Sequence, residues 1–391
     1  MQGKTFTMEL AGKTLTIETG KYCEQAGGSA FVRMGDAVVM VNATVAKQPR
    51  DGVDFLPLSI EFEEKMYSVG KIPGGYIKRE GRPSEKAILC SRLIDRPLRP
   101  LFPKGFYNDI QVIATVLSMD PDVQPEILGM IGSSAALAMS EAPFAGPTGA
   151  VAVGMVDGKY IINPTLEERH KSKLNLTVAG TKDAVMMVEA GANELSEKEM
   201  LDAILTAHEE VKKIVAFIEG IAAECGKPKM EVNIYHPDEA FTELVREYAR
   251  DKVEWQLDTF ERKVREERSE QVKQEVIEHF AEEYPDSASD IDMILYNLTK
   301  EIVRDKIINR KIRPDGRAQD EIRPIWSEVG ILPRVHGSGV FTRGQTQVMT
   351  IATLAPLSEG QELDGIDDVT FKRYMHQSVS YTHLRAHETD S

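Results

Sequence analysis

Residues 28–45 read GSAFVRMGDAVVMVNATV, and residues 337–354 read GSGVFTRGQTQVMTIATL. They align without a gap at a separation of 309 residues, with seven of eighteen positions identical: Gly28/Gly337, Ser29/Ser338, Gly35/Gly344, Val39/Val348, Met40/Met349, Ala43/Ala352 and Thr44/Thr353. Most other positions keep their character, as at Val45/Leu354. Each stretch reads as strand, glycine turn, strand, because β-branched residues flank a residue pair suited to a tight turn. Hairpins share such features by chance, but a gapless match of this density points to internal duplication. A repeat on that scale implies two copies of one fold within the chain.

Around the first copy, Thr14 to Glu18, Ala37 to Ala46 and Ile110 to Met119 read as strands, with turns at Gly27-Gly28 and Gly35-Asp36. A helix is predicted from Pro83, taken as its first residue. It should end near Asp95, because Pro97 and Pro100 oppose continuation. Gln124 to Ser140 reads as a helix of small residues. Gly129-Met130-Ile131-Gly132-Ser133-Ser134 within it is neither a Walker loop nor a dinucleotide fingerprint, so its small side chains are read as allowing close helix–sheet packing. Val151 to Val156, Lys173 to Ala179 and Val185 to Ala190 read as strands. Ser196 to Glu224 reads as one long helix, with Ser196 and Glu199 as a capping box and Gly226 as its stop. Strands mixed with helices gathered into blocks indicate an α+β fold.

After Pro228 the composition turns charged. Pro237 to Ala281 is dense in Glu, Lys and Arg, with Leu244, Tyr248, Val253, Leu257, Phe260 and Val264 at helical spacing; Ser287 to Ile308 continues in kind. This reads as a small all-helical domain with solvated charged faces. At Arg313 the β-rich style returns.

The chain has 391 residues, 42% of them apolar, enough for two or three domains with proper cores. Met1 to Glu18 lacks the charged and apolar regions of a signal peptide, and no apolar run spans a bilayer. Cys23, Cys90 and Cys225 are scattered and form no CxxC pair, which fits a reducing cytoplasm and argues against a cysteine-built metal site. His383 and His387 stand four apart but lack the HExxH glutamate, so they are not read as a metal pair.

Net charge is −15, which taken alone points away from nucleic acid. The charge is uneven. From Lys71 to Lys104, nine basic residues against Glu80, Glu85 and Asp95 give +6, leaving −21 for the rest. Such an island is either an anion site or a solvated charged face.

Three segments decide how to read it. Gly74-Gly75-Tyr76-Ile77-Lys78-Arg79-Glu80-Gly81-Arg82-Pro83-Ser84-Glu85 runs on into Ser91-Arg92-Leu93-Ile94-Asp95-Arg96-Pro97-Leu98-Arg99-Pro100-Leu101-Phe102. Arg313-Pro314-Asp315-Gly316-Arg317 is followed by Ile322-Arg323-Pro324-Ile325. Phe341-Thr342-Arg343-Gly344-Gln345-Thr346-Gln347 closes the duplicated hairpin. Together these segments resemble the bacterial polynucleotide phosphorylase family (polyribonucleotide nucleotidyltransferases) over residues 1 to about 376.

The resemblance implies an α+β RNase PH-like core, layered like ribosomal protein S5 domain 2, over 1–228. An all-helical domain over 229–310 and the start of a second RNase PH-like core over 311–376 follow. It further implies 3′-to-5′ phosphorolytic degradation of single-stranded RNA, with inorganic phosphate as co-substrate, Mg²⁺ as cofactor and nucleoside diphosphates as products. The expected setting is a cytoplasmic homotrimer that can join RNA-degradation complex proteins, away from membranes. Phosphorolysis forms no covalent intermediate, so the protein must hold two anions in line. Arginine forks suit this. RNA contact is therefore expected at Tyr76, Lys78, Arg79 and Arg82, and phosphate contact at Arg92, Arg96 and Arg99. The family has two aromatics and two arginines at 76–79; Ile77 and Lys78 depart from that, removing a stacking surface and a bidentate contact. Arg92 and Arg96 stand one helical turn apart and share a face. The opposing reading pairs Asp95 and Glu85 with these arginines structurally.

Residues 377–391 show no continuation of the family pattern and are expected to be a foreign tail. The family's metal-binding aspartates, phosphate-binding serine and further arginine pair belong beyond residue 376. No catalytic residue and no metal ligand is therefore assigned. The chain is expected to bind RNA without turnover, or to leave unpaired strand edges and apolar faces after Ile312.

Overall fold

The computed structural model describes residues 3–376 except 51, 54, 233 and 235. The expected tail at 377–391, and with it His383 and His387, lies outside the described residues. The chain divides into two units, one of residues up to 235 with Glu362–Thr370, the other of His236–Gln361 with Phe371 onward.

The first unit opens with strands β1 (Lys4–Leu10), β2 (Lys13–Thr19), β3 (Gly28–Met34), β4 (Ala37–Val45) and β5 (Leu58–Glu64), helix α1 (Glu85–Leu98) and strand β6 (Ile110–Ser118). They make a six-stranded sheet in the order β1-β2-β3-β4-β6-β5. Only the β5–β6 pair is parallel, with Leu58 opposite Ile110. Next come helix α2 (Pro125–Met139), strands β7 (Gly149–Val156) and β8 (Lys159–Ile162), helix α3 (Leu166–Lys171), strands β9 (Leu174–Gly180) and β10 (Val185–Ala192), and helix α4 (Glu197–Cys225). The second sheet is ordered β10-β9-β7-β8. Helix α2 lies between the sheets, against β3, β4 and β6 on one side and β7 on the other. Every residue of α2 except Glu126 is buried. Its small residues allow this: a Cβ at Gly132 would stand 2.6 Å from Val41 Cγ2, and one at Gly129 would stand 3.2 Å from the Phe62 ring.

The capping box at α4 is present, with Glu199 N–H donating to Ser196 Oγ and Ser196 N–H to Glu199 Oε2. The start and end of α1 differ from the sequence reading. Ser84, not Pro83, begins the helix: its Oγ accepts from Ala87 N–H at 2.9 Å. The helix also runs through Pro97 to Leu98 and tightens into a 3₁₀ turn over Arg99–Leu101. In the last turn a proline forgoes a single backbone bond, and burial of Pro97 and Leu98 against the core offsets that loss. Lys229 supplies a distant cap for α2, donating to the carbonyls of Leu137, Ala138 and Ser140. Burial lowers its ammonium pKa. The chain stays with this unit past Pro228, since Met230 N–H donates to Glu141 O.

The second unit holds helices α5 (Glu239–Gln256), α6 (Arg262–Phe280) and α7 (Ala288–Ile308), then strands β11 (Ile325–Val329), β12 (Gly337–Arg343) and β13 (Thr346–Ala352). The helical core is built by Phe241, Val245 and Val253 of α5, Val272, Val276 and Phe280 of α6, and Ile294, Leu298 and Ile302 of α7. The apolar spacing read from 244 to 264 overruns a break at 257–261. Leu244 and Phe260 are exposed, and only Val253 of that stripe is buried. The break has a long-range cause: Arg268 donates to the carbonyls of Trp255 and Asp258, and Lys306 to that of Leu257. Strands β11–β13 form an antiparallel sheet in chain order. In it Ile325, Trp326, Val329, Phe341 and Ile351 are exposed and Val340 is buried.

Candidate functional site

The basic island lies in the first unit, on the segment joining β5 to α1 and along α1 itself. The segment 71–84 has no regular structure. Its ends are fastened. Glu80 Oε1 accepts from Met66 N–H at 3.0 Å, Ser84 donates to Glu64 Oε2 at 2.6 Å, and Lys71 Nζ donates to Asp364 Oδ1 at 2.7 Å. Between these anchors the chain turns out into solvent. Gly75 and Lys78 adopt left-handed backbone angles, φ +77° and +49°. Tyr76 projects fully, at 101% relative exposure. Lys78, Arg79 and Arg82 are exposed. None of the three makes a hydrogen bond or ion pair among the described residues.

Helix α1 turns Ala87, Cys90, Ile94 and Leu98 inward. It is bolted to β5 through Ser91, whose Oγ accepts from Phe62 N–H at 2.9 Å. The outward stripe carries Glu85, Ile88, Leu89, Arg92 and Arg96. Arg92 has no partner among the described residues, whereas Arg96 pairs with Glu189 of β10. Arg99 is committed elsewhere: it grips both oxygens of Asp95, at 2.8 and 2.6 Å, and donates to Leu56 O and Leu58 O. The structural pairing with Asp95 is thus realised at Arg99. Sequence reading did not identify Glu189, because 93 residues separate it from Arg96.

Beneath the loop Glu64, Lys86, Glu126 and Asp367 share a partly buried patch. Burial pushes the Glu64 carboxyl above its usual range, against the pull of Ser84 and Lys86. Burial alone would lower Lys86, but Glu126, Asp367 and Glu64 hold its ammonium above the ordinary value. Burial raises the Cys90 thiol well above its usual pKa, so it is inert as a nucleophile. Among the described residues no group of three or more His, Cys, Asp or Glu could hold a metal ion. Among them, too, no helix is long and apolar enough to cross a membrane. The arrangement therefore offers an exposed aromatic ring and unpaired cations, the parts of an anion-gripping surface, without a metal-binding set.

The model of the 3′ exoribonuclease family, domain 1, matches residues 11–143, and that of domain 2 matches 146–210. The model of the polyribonucleotide nucleotidyltransferase RNA binding domain matches 240–318. The polyribonucleotide nucleotidyltransferase of Clostridioides difficile is 58% identical over 376 residues, which is 95% of this chain and 54% of that protein. Those of Heliobacterium modesticaldum and Caldicellulosiruptor saccharolyticus are 56% and 55% identical, over 95% and 96% of this chain. The chain spans about half the length of the curated relatives it matches. By this identity, and by RNase PH-like domains followed by a helical region, the chain belongs to the polyribonucleotide nucleotidyltransferase family.

Proposed function

We propose that this chain grips single-stranded RNA for an enzyme that degrades RNA from its 3′ end by phosphorolysis. The observation that carries the reading is the solvent-facing loop at 76–82, where Tyr76 is fully exposed and the three cations make no hydrogen bond or ion pair among the described residues. Tyr76 offers a stacking face that any base can use, and Lys78, Arg79 and Arg82 offer charge to the backbone. Arg92 adds a free guanidinium beyond the loop, and Arg96 joins it by exchanging Glu189 for a phosphate. Arg99 acts at one remove by holding Asp95 and the end of α1 in place.

In the reaction, an oxygen of inorganic phosphate attacks the phosphorus of the 3′-terminal phosphodiester, and the bond from that phosphorus to the 3′ oxygen of the preceding ribose breaks. That oxygen takes up a proton as the new 3′ hydroxyl of the shortened RNA, and the terminal nucleotide is released as a nucleoside diphosphate. Positioning and charge stabilisation drive such a transfer. Mg²⁺ would neutralise charge building on the phosphoryl oxygens. The described residues do not fit a site for it, so that chemistry is placed outside them. We place the assembled enzyme in the cytoplasm as a homotrimer turning over mRNA, alone or with RNA-degradation complex proteins. Within it, residues 1–228, 229–310 and 311–376 serve as first core, helical domain and start of a second core.

The test uses the chain with oligoadenylate, Mg²⁺ and phosphate. RNA should bind with strong salt dependence and without phosphate-dependent ADP release. Arg79→Ala with Arg82→Ala should weaken binding for every sequence and lower the salt slope by roughly 1–1.5. Unchanged affinity in that double variant would refute the loop assignment, and ADP release free of contaminating enzyme would refute the placement of the chemistry.

A further inference from the structure

The second unit contains a cleft of about 930 Å³ formed by three chain segments, Phe260–Arg265, Arg313–Pro324 and Arg343–Thr346. Its walls are fixed by specific contacts. Arg265 at the start of α6 donates to Pro314 O at 2.9 Å. The Phe260 ring lies on Gly316, where an added Cβ would stand 2.9 Å from the ring. Gly344 N–H donates to Pro324 O at 2.9 Å, joining the hairpin turn to the preceding segment.

The lining side chains divide into those that build the cleft and those left over. Arg313 is taken by the carbonyls of Ala318, Gln319 and Glu321. Arg317 is taken by Asp315 and by the carbonyl of Glu321. Asp315 also faces Arg323 at 3.8 Å, and Glu321 accepts from Ala318 N–H. Lys263 and Arg343 remain exposed with no partner among the described residues, and Glu261 is the lining carboxylate left without one. Beside them Phe260 keeps 63% relative exposure although it packs on Gly316.

We infer that this cleft is a second contact site for single-stranded RNA, with Lys263, Arg343 and Arg323 on the phosphates and Phe260 under a base. The inference rests on the reading that the chain handles RNA and adds a site separate from the loop at 76–82. Cations spread over three segments suit a backbone that passes through, whereas a lone phosphate needs donors converging on one point. An exposed ring lining the same cleft supplies the sequence-tolerant stacking that single strands use. The guanidinium at Arg343 and the ammonium at Lys263 are free to exchange water for phosphate oxygens, because no intramolecular bond among the described residues must break first.

The experiment is fluorescence anisotropy of labelled oligoadenylate and oligouridylate on the full chain across a salt series. Lys263→Ala with Arg343→Ala should raise Kd about tenfold and lower the salt slope by roughly 1–1.5, with the thermal melt unchanged. Lys263→Arg with Arg343→Lys should restore binding, which a merely structural role would not. The Arg79→Ala, Arg82→Ala variant is run in parallel. Weakening there with none in the cleft variant overturns this inference and leaves the loop assignment standing. Weakening only in the cleft variant does the reverse, and no weakening in either overturns both. Affinity that fails to grow beyond one nucleotide, with ADP or inorganic phosphate competing as well as RNA, would make the cleft a small-anion site and also overturn the proposal. Photocrosslinking of 4-thiouridine RNA should label the peptide carrying Phe260 and Lys263.

Discussion

The two hairpins that betray the duplication, β3–β4 and β12–β13, make the same ladder in different surroundings. Gly28 stands opposite Ala43 and Met34 opposite Ala37; Gly337 stands opposite Ala352 and Arg343 opposite Thr346. Both turns place a glycine in the left-handed region, Gly35 at φ +56° and Gly344 at φ +62°. Register and turn are therefore written locally, in residues that both copies keep. Burial is not. In β3 and β4, Ala30, Val32, Val39 and Val41 are fully buried under α2, whereas β12 and β13 bury only Val340. A strand pattern specifies which side chains share a face; a covering helix decides how much that face is worth.

This comparison can be broken most sharply at its first position. An added methyl at Gly28 would stand 2.0 Å from Ala136 O, a backbone atom of α2, while one at Gly337 would meet only Ala352 Cβ at 3.4 Å. Gly28→Ala should cost about 3 kcal/mol and Gly337→Ala less than about 0.5 kcal/mol, read from hydrogen exchange of each hairpin's amides. Equal costs would mean that α2 does not press on the first hairpin. A middle-sized difference is expected at Val39 and Val348. Val39→Ala should cost about 2–3 kcal/mol and Val348→Ala below about 1 kcal/mol, by the same measurement. The smallest difference belongs to the turns. Gly35→Ala and Gly344→Ala should each cost about 1–2 kcal/mol and agree within about 0.5 kcal/mol, since both pay for a left-handed alanine. Their methyls would meet only side-chain atoms, Asp120 Oδ2 and Arg323 Cδ. A large excess at Gly35 would show that Asp120, which also accepts from Asp36 N–H, cannot move.

Features carried by neighbouring residues were legible in the sequence. The capping box at Ser196 acts within one turn, and the small residues at Gly129 and Gly132 mark a close-packed helix whichever strands it meets. What stayed hidden depends on distant partners. The end of α5 is set by Arg268 and Lys306, the pairing of Arg96 by Glu189, and the tethering of Lys71 and Lys86 by Asp364 and Asp367. Proline misled at Pro97 because a helix penalty read locally was outweighed by burial. The basic cleft escaped notice because its cations lie on three separated segments and no short window holds more than a few.

The three cysteines give the first unit a chemical clock. Cys23 is exposed, Cys225 is half-covered and Cys90 is buried on the inner face of α1, all as free thiols. A thiol reagent meets Cys23 at once, but it reaches Cys90 only when α1 lifts from β5. The lag between the two labels thus times the breathing of the helix that carries Arg92 and Arg96, without any substitution in the chain.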